Sequence, residues 1–155
     1  MPISSYPQYM SEVGGKGTLA LYPEHHADTV AASATIPWGK AVQYTATNKN
    51  KGEVYAGTRK VIGVAMANHY AEYRTTTTVG EYVVGDAVSA LRKGCIWVEV
   101  LEDVVKGDLA VADNTTGNFR PSTTGTATIS AIVGEFKSSA LANGLAILEL
   151  NLPNA

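Results

Sequence analysis

From Trp38 onward short apolar runs are separated by glycines, and in some of the runs apolar and polar residues alternate. From Cys95 to Leu101, Ile96, Val98 and Val100 fall on one side, and Trp97, Glu99 and Leu101 fall on the other. Near the C-terminus Leu148, Leu150 and Leu152 share a side, with Glu149 and Asn151 opposite. A period of two is the mark of a strand with one face on a core and one toward water. Segments rich in Val, Ile, Leu, Thr and aromatics lie at residues 41–47, 60–67, 86–91, 95–101, 109–112, 127–136 and 145–152. Gly52, Gly57, Gly80, Gly94, Gly107, Gly117, Gly125 and Gly144 punctuate them. Regular turn signals between short strands predict an all-β sandwich or barrel. Residues 137–143, ahead of Gly144, carry the one helical signal, long enough for one or two turns with the glycine as a C-cap.

The first part of the chain reads differently. Pro2, Pro7, Pro23 and Pro37 break it, each fixing a dihedral and removing a backbone donor. Tyr6, Tyr9, Met10, Leu19, Leu21 and Tyr22 lie among them. The segment is too broken for a helix and apolar enough to bind. It is expected to form an extended arm over residues 1–37, with a short strand near 18–22, ahead of a β domain at 38–155. Two roles stay open for the arm: a contact with a partner, or a strap on its own domain.

A faint internal repeat crosses the domain. Gly39-Lys40-Ala41-Val42, Gly85-Asp86-Ala87-Val88 and Gly107-Asp108-Leu109-Ala110 each place a turn glycine and a polar residue before a strand. The glycine suits a positive φ, and the next residue suits a bond within the turn. Val61-Ile62-Gly63-Val64-Ala65 is similar to Ile132-Val133-Gly134-Glu135-Phe136. A glycine inside a strand suggests a bulge or a sharp bend. Two similar halves produce such a pattern, and so does accidental likeness between β-rich segments.

Composition narrows the function. Apolar residues make up 45% of the 155, which excludes a disordered chain. Charged residues make up 17%, against roughly 25% in an ordinary domain. The net charge of -2 offers no cationic excess for phosphates, so no nucleic-acid partner is expected. No run approaches a membrane span, and no apolar h-region opens the chain, so no membrane partner is expected and synthesis in a cytoplasm is. The single cysteine, Cys95, excludes an internal disulfide and reads as a small buried hydrophobe.

Chemistry is sparse. No phosphate-binding loop, dinucleotide fingerprint or nucleophile elbow occurs. His25 and His26 are adjacent on an extended segment and point to opposite sides, a poor start for a metal site. Glu99, Glu102 and Asp103 cluster near a strand end and read as a solvated face. No catalytic residue, cofactor or metal is expected. His69 and Tyr70 follow a strand and read as loop or interface residues. Trp38 and Trp97 with the Thr/Asn loops leave a carbohydrate-binding module as an alternative, which requires an exposed aromatic platform.

The run from Val84 through Gly85-Asp86-Ala87-Val88-Ser89 to Arg92-Lys93-Gly94-Cys95-Ile96-Trp97-Val98-Glu99-Val100 resembles the central block of head decoration, or cement, proteins of tailed bacteriophages. The likeness is close over 84–100 and loose over 36–135, taking in the strand at Ile62-Gly63-Val64-Ala65, the turn at Gly107-Asp108 and the first strand at Trp38-Gly39-Lys40-Ala41-Val42. The arm matches no pattern of that family. The resemblance implies a compact antiparallel β-barrel, or a jelly-roll or β-tulip-like sandwich, with no catalytic residues. It implies a virion protein on the outer capsid surface, partnered by the major capsid protein and by copies of itself, as a trimer in preference to a dimer. Tyr6, Tyr9, Met10, Leu19, Leu21, Tyr22, His69 and Tyr70 are then the expected interface residues. A head fibre base and a minor tail protein are the neighbouring alternatives.

Overall fold

The computed structural model describes residues 15–68, 80–126 and 128–152. Its strands are β1 (Leu19–Ala32), β2 (Ile36–Pro37), β3 (Ala41–Tyr44), β4 (Lys51–Val54), β5 (Val61–Ala65), β6 (Glu81–Tyr82), β7 (Ala87–Glu99), β8 (Leu109–Asp113), β9 (Phe119–Pro121), β10 (Ile129–Phe136) and β11 (Leu145–Asn151). No helix occurs among the described residues. The all-β expectation holds. Residues 137–143 form turns instead: Ala140 and Val104 exchange backbone hydrogen bonds at 2.9 and 3.0 Å, and Asn143 takes the positive φ, 64°. Ser138 accepts a hydrogen bond from the Ile147 N–H, and Ser139 accepts one from the Lys106 N–H. Serines that accept from the backbone of β11 and of the turn at Lys106 compete with a helix.

One sheet runs β1-β4-β3-β5-β7-β11-β10-β8-β9, and β2 pairs with β6 as a separate ribbon. The sheet is mixed, because β1 lies parallel to β4 while the other named strands pair antiparallel. β1 also pairs antiparallel with β7, from Leu19 opposite Ile96 to Ala31 opposite Ala87. The pairings β1-β4-β3-β5-β7 therefore return to β1. On the other side, β7-β11-β10-β8-β9 returns to the end of β7, where Val100 bridges Phe119 and the Leu101 N–H donates to the Phe119 carbonyl. Each set encloses a core. Val30, Ala32, Ile36, Val42, Ala65, Tyr82 and Val88 fill the first. A larger cluster centred on Ile96, Val98, Phe119, Phe136, Leu148 and Leu150 fills the second.

The repeat seen in the sequence is real in register. The order β4-β3-β5-β7 is matched by β9-β8-β10-β11. Ala41, Val42 and Gln43 pair with Val64, Gly63 and Val61; Leu109, Ala110 and Val111 pair with Glu135, Gly134 and Ile132. In both halves the residue before the glycine, Ile62 or Val133, is the extra residue of a bulge. In both, the glycine is where a strand crosses its neighbour too closely for a side chain. A Cβ on Gly63 would lie 2.5 Å from the Leu91 carbonyl oxygen, and one on Gly134 would lie 1.9 Å from that of Glu149.

The turns before β7 and β8 are alike too. Gly85 and Gly107 have φ of 91° and 100°. Asp86 Oδ2 accepts from the Val83 N–H, and Asp108 Oδ2 accepts from the Val105 N–H, both at 2.8 Å. The two strands expected at 86–91 and 95–101 are a single strand, β7. Lys93 and Gly94 stay paired with Asn151 and Leu150 between them. Gly94, at φ 126°, turns the strand without ending it. The C-terminal half alternates as its sequence indicates: Ile96 and Val98 are fully buried, with Trp97 and Glu99 half-buried.

Candidate interaction surface

The exposed apolar side chains sit on strand faces and turn tips. Leu21, Leu109 and Ile132 are each about half exposed, and Val84, Val105 and Leu141 are more so. Leu21 projects from a stretch of β1 whose register against β7 shifts on both sides of it. Together Leu21, Leu109 and Ile132 line an open groove of about 1070 Å³ that crosses Gly94, Cys95 and Leu150. Ile132 also lines a second groove of about 740 Å³, bordered by β5, β10, Arg92 and Leu152. It forms the ridge between them. Val105 and Leu141 follow the bridged pair Val104 and Ala140, which brings them to one end of the molecule.

Of the residues expected at an interface, Leu19 packs partly buried against the larger core, opposite Ile96. Leu21 is exposed in the first groove. Tyr22 lies within β1, and its side chain is outside the described set. Tyr6, Tyr9, Met10, His69 and Tyr70 lie outside the described residues. Sequence reasoning missed Leu109 and Ile132, because each reads as one more apolar strand residue. A signal was present in β10: the bulges on either side of Ile132 turn it outward while Val133 goes to the core. Neither tryptophan stands clear as a sugar platform. Trp38 packs on the smaller core, and half-buried Trp97 lies opposite Ile147.

The charges are used to hold loops and sheet faces. Lys137 bonds Glu149 at 2.7 Å and Glu135 at 2.9 Å, and these hydrogen bonds raise its pKa. The Cys95 thiol is pushed up, first by burial and then by Glu149, so it is a poor nucleophile. Glu24 bonds Lys93 at 3.3 Å and lies 3.5 Å from His26. No group of three or more metal-binding side chains occurs among the described residues.

The most connected polar cluster surrounds Asp113, at the end of β8. Its carboxylate accepts from the Thr115 N–H (3.0 Å), the Thr116 N–H (2.8 Å), the Thr116 hydroxyl (3.0 Å) and Arg120 Nε (3.1 Å). Arg120 also pairs with Glu102, and Asn118 Nδ2 donates to Glu99 at 3.0 Å. Lys16 pairs with Glu99 in turn. The network fixes the loop between β8 and β9 and ties it to the residues that precede β1. Burial alone pushes the Asp113 pKa up; the hydrogen bonds from Thr116, Arg120 and Thr115 outweigh it and hold the group below the usual carboxylate range. A depressed folded-state value contributes stability above the unfolded value, about 3.9, that is lost as pH falls through the folded one. Urea midpoints are therefore expected to drop on acidification below about pH 4, and Asp113→Asn to flatten that slope while lowering the midpoint at neutral pH. An unchanged slope in the variant would place the acid sensitivity elsewhere.

Among the described residues the fold is all-β, its one buried carboxylate, Asp113, is engaged in holding a loop, and several apolar side chains stand exposed. The family of structural cement proteins (E217 gp24/Pam3 gp6) matches residues 2–151, and the chain belongs to it. It is a structural protein of the phage virion, associated with capsid proteins, and not a member of an enzyme family. Among solved structures it is similar to a chain of the capsid of Myoviridae phage XM1, at TM-score 0.71 and 15% identity, over 92% of this chain and 94% of that one. It is also similar to the base of the head fibre gp8.5 of bacteriophage phi29, at TM-score 0.54 and 15% identity, over 83% and 95%. No curated protein matches it at a significant level.

Proposed function

We propose that this chain binds the outer surface of an assembled capsid and fastens neighbouring major capsid proteins. The family match across nearly the whole chain carries this reading. A clip that binds the assembled lattice and not free subunits stabilises the lattice by mass action. Each foot needs only a modest interface, because a second foot on the same particle binds at high effective concentration. A homo-oligomer, a trimer in preference to a dimer, supplies those feet. The apolar ridges at Leu21, Leu109 and Ile132 are the contact surface on the body. The chain is made in the bacterial cytoplasm, where heads assemble. The fibre-base alternative draws on the phi29 likeness, which has the lower TM-score and speaks to fold alone.

The residues ahead of Gly15, with Tyr6, Tyr9 and Met10, add contacts of their own to the capsid or to a neighbouring copy. Tyrosines do this at small entropic cost. Truncation can test that without cutting into the fold. Gly17 is buried; its N–H donates to the Trp97 carbonyl and its own carbonyl accepts from Ala67 N–H, each at 2.8 Å. Deleting residues 2–13 leaves those bonds in place. The truncated chain is expected to keep its urea midpoint and to lose at least tenfold in affinity when titrated onto and sedimented with heads that lack the protein (about 1.4 kcal/mol). Equal occupancy would remove the N-terminal residues from the mechanism. Failure of the intact chain to sediment with heads would overturn the cementing reading.

A further inference from the structure

Pairing stops short on one side of two strands. β10 pairs with β8 from Ile129 to Glu135, but with β11 only through Gly134, Glu135 and Phe136. β5 pairs with β3 from Val61 to Val64, but with β7 only through Val64 and Ala65. Among the described residues, no strand lies beside residues 129–133 on the side away from β8, or beside 61–62 on the side away from β3. The cause is the repeated bulge, which twists each strand out of reach of its second partner. Both open edges border the same groove, the one of about 740 Å³. The Ala131 carbonyl accepts from the Ser130 hydroxyl, but no strand covers this edge among the described residues, and an uncovered strand edge is a template for another strand.

We propose that this groove receives an extended, acidic segment of the capsid subunit, which joins the open edge of β10 as an added strand. The proposal deepens the capsid-binding reading and rests on it. Main-chain pairing would supply affinity, and alternate side chains of the incoming segment would enter the groove. The charges along the groove select the partner: Arg59, Lys60 and Arg92 line it against one carboxylate, Asp28. Asp28 lies 3.5 Å from Arg92, which leaves the cations in excess. The N-terminal residues of a second copy suit the slot less well. Pro2 and Pro7 interrupt any ladder, and Glu12 is the sole acid among residues 1–14.

The test uses the full-length chain and heads that lack it. With a photoreactive amino acid in place of Lys60, at the groove rim, irradiation on heads is expected to link this chain to an acidic stretch of the capsid subunit. Linkage only to a second copy of the chain, or none to the capsid while the protein stays on the heads, overturns the proposal. Two variants give an independent reading. Ala131→Trp fills the groove, and Arg59→Glu reverses a rim charge; both positions are exposed. Each is expected to keep its melting temperature and to lose at least tenfold in head occupancy. Variants that bind as well as the unaltered chain overturn the groove assignment and leave the cementing reading standing. An unaltered chain that does not bind heads overturns both.

Discussion

Gly134→Ala is expected to destabilise the protein by about 3 kcal/mol, at the upper end of what overpacking usually costs. The added Cβ would sit 1.9 Å from the Glu149 carbonyl oxygen and 3.2 Å from the Leu150 Cα. Those atoms are backbone of β11, whose own pairing with β7 holds it in place from Leu145 to Asn151. No flexible side chain is available to move aside. The strand must separate from β10 or β10 must lose its bulge, and either opens the larger core. Gly63→Ala meets Leu91 backbone in the same way and is expected to act in the same direction. Gly125 meets nothing within 4 Å, so Gly125→Ala is the control and is expected to be neutral or slightly stabilising. Urea melts of the three variants decide the matter. A Gly134→Ala midpoint equal to that of Gly125→Ala would mean that β10 and β11 do not cross as described.

Phe119→Ala is expected to cost about 3–5 kcal/mol, enough to leave a domain of ordinary stability largely unfolded. Phe119 is fully buried in the larger core. It also stands where β9 meets the end of β7: its carbonyl accepts from Leu101 N–H at 2.9 Å, and it bridges Val100. Truncation leaves a cavity at the point where the second set of strands closes, and the pairing of β9 with β8 and the Arg120 ion pairs do not fill it. Leu141→Ala removes as apolar a side chain from a site 76% exposed, and is expected to change stability by less than about 0.5 kcal/mol. Thermal or urea unfolding of the two variants gives the comparison. Similar midpoints would contradict the assignment of Phe119 to the core.

The elements legible in the sequence were short segments rich in Val, Ile, Leu, Thr or aromatics set off by turn glycines, some of them alternating with period two. β3, β5, β10 and β11 lie within the segments read this way, and β8 runs one residue past its segment, to Asp113. β4 and β9 were not visible: Lys51-Gly52-Glu53-Val54 and Phe119-Arg120-Pro121 are too short and too polar to show a period, and they pair because hairpin partners hold them. The length of β1 was hidden by Pro23 and by the polar stretch Glu24-His25-His26. Its residues find pairing along β7, which local sequence does not report. The bulges at Gly63 and Gly134 were legible because only glycine tolerates such crossings. The turns at Gly85-Asp86 and Gly107-Asp108 were legible because an aspartate after a glycine closes them. The phage-protein resemblance rested on the same turn and strand residues. Interface residues were harder to find, since an exposed leucine on a strand is written like a buried one. Ile132 is set apart by the bulges on either side of it, whereas Leu109 pairs in regular register with Glu135 and carries no such mark.

The central claim, that this chain sits outside the capsid and joins its subunits, is tested most directly by electron microscopy of mature heads with and without it. The account predicts density of this all-β shape on the outer surface, spanning neighbouring capsid proteins and missing from heads that lack the chain. Heads that look alike in the two preparations, or density confined to the tail or to a fibre, would contradict it.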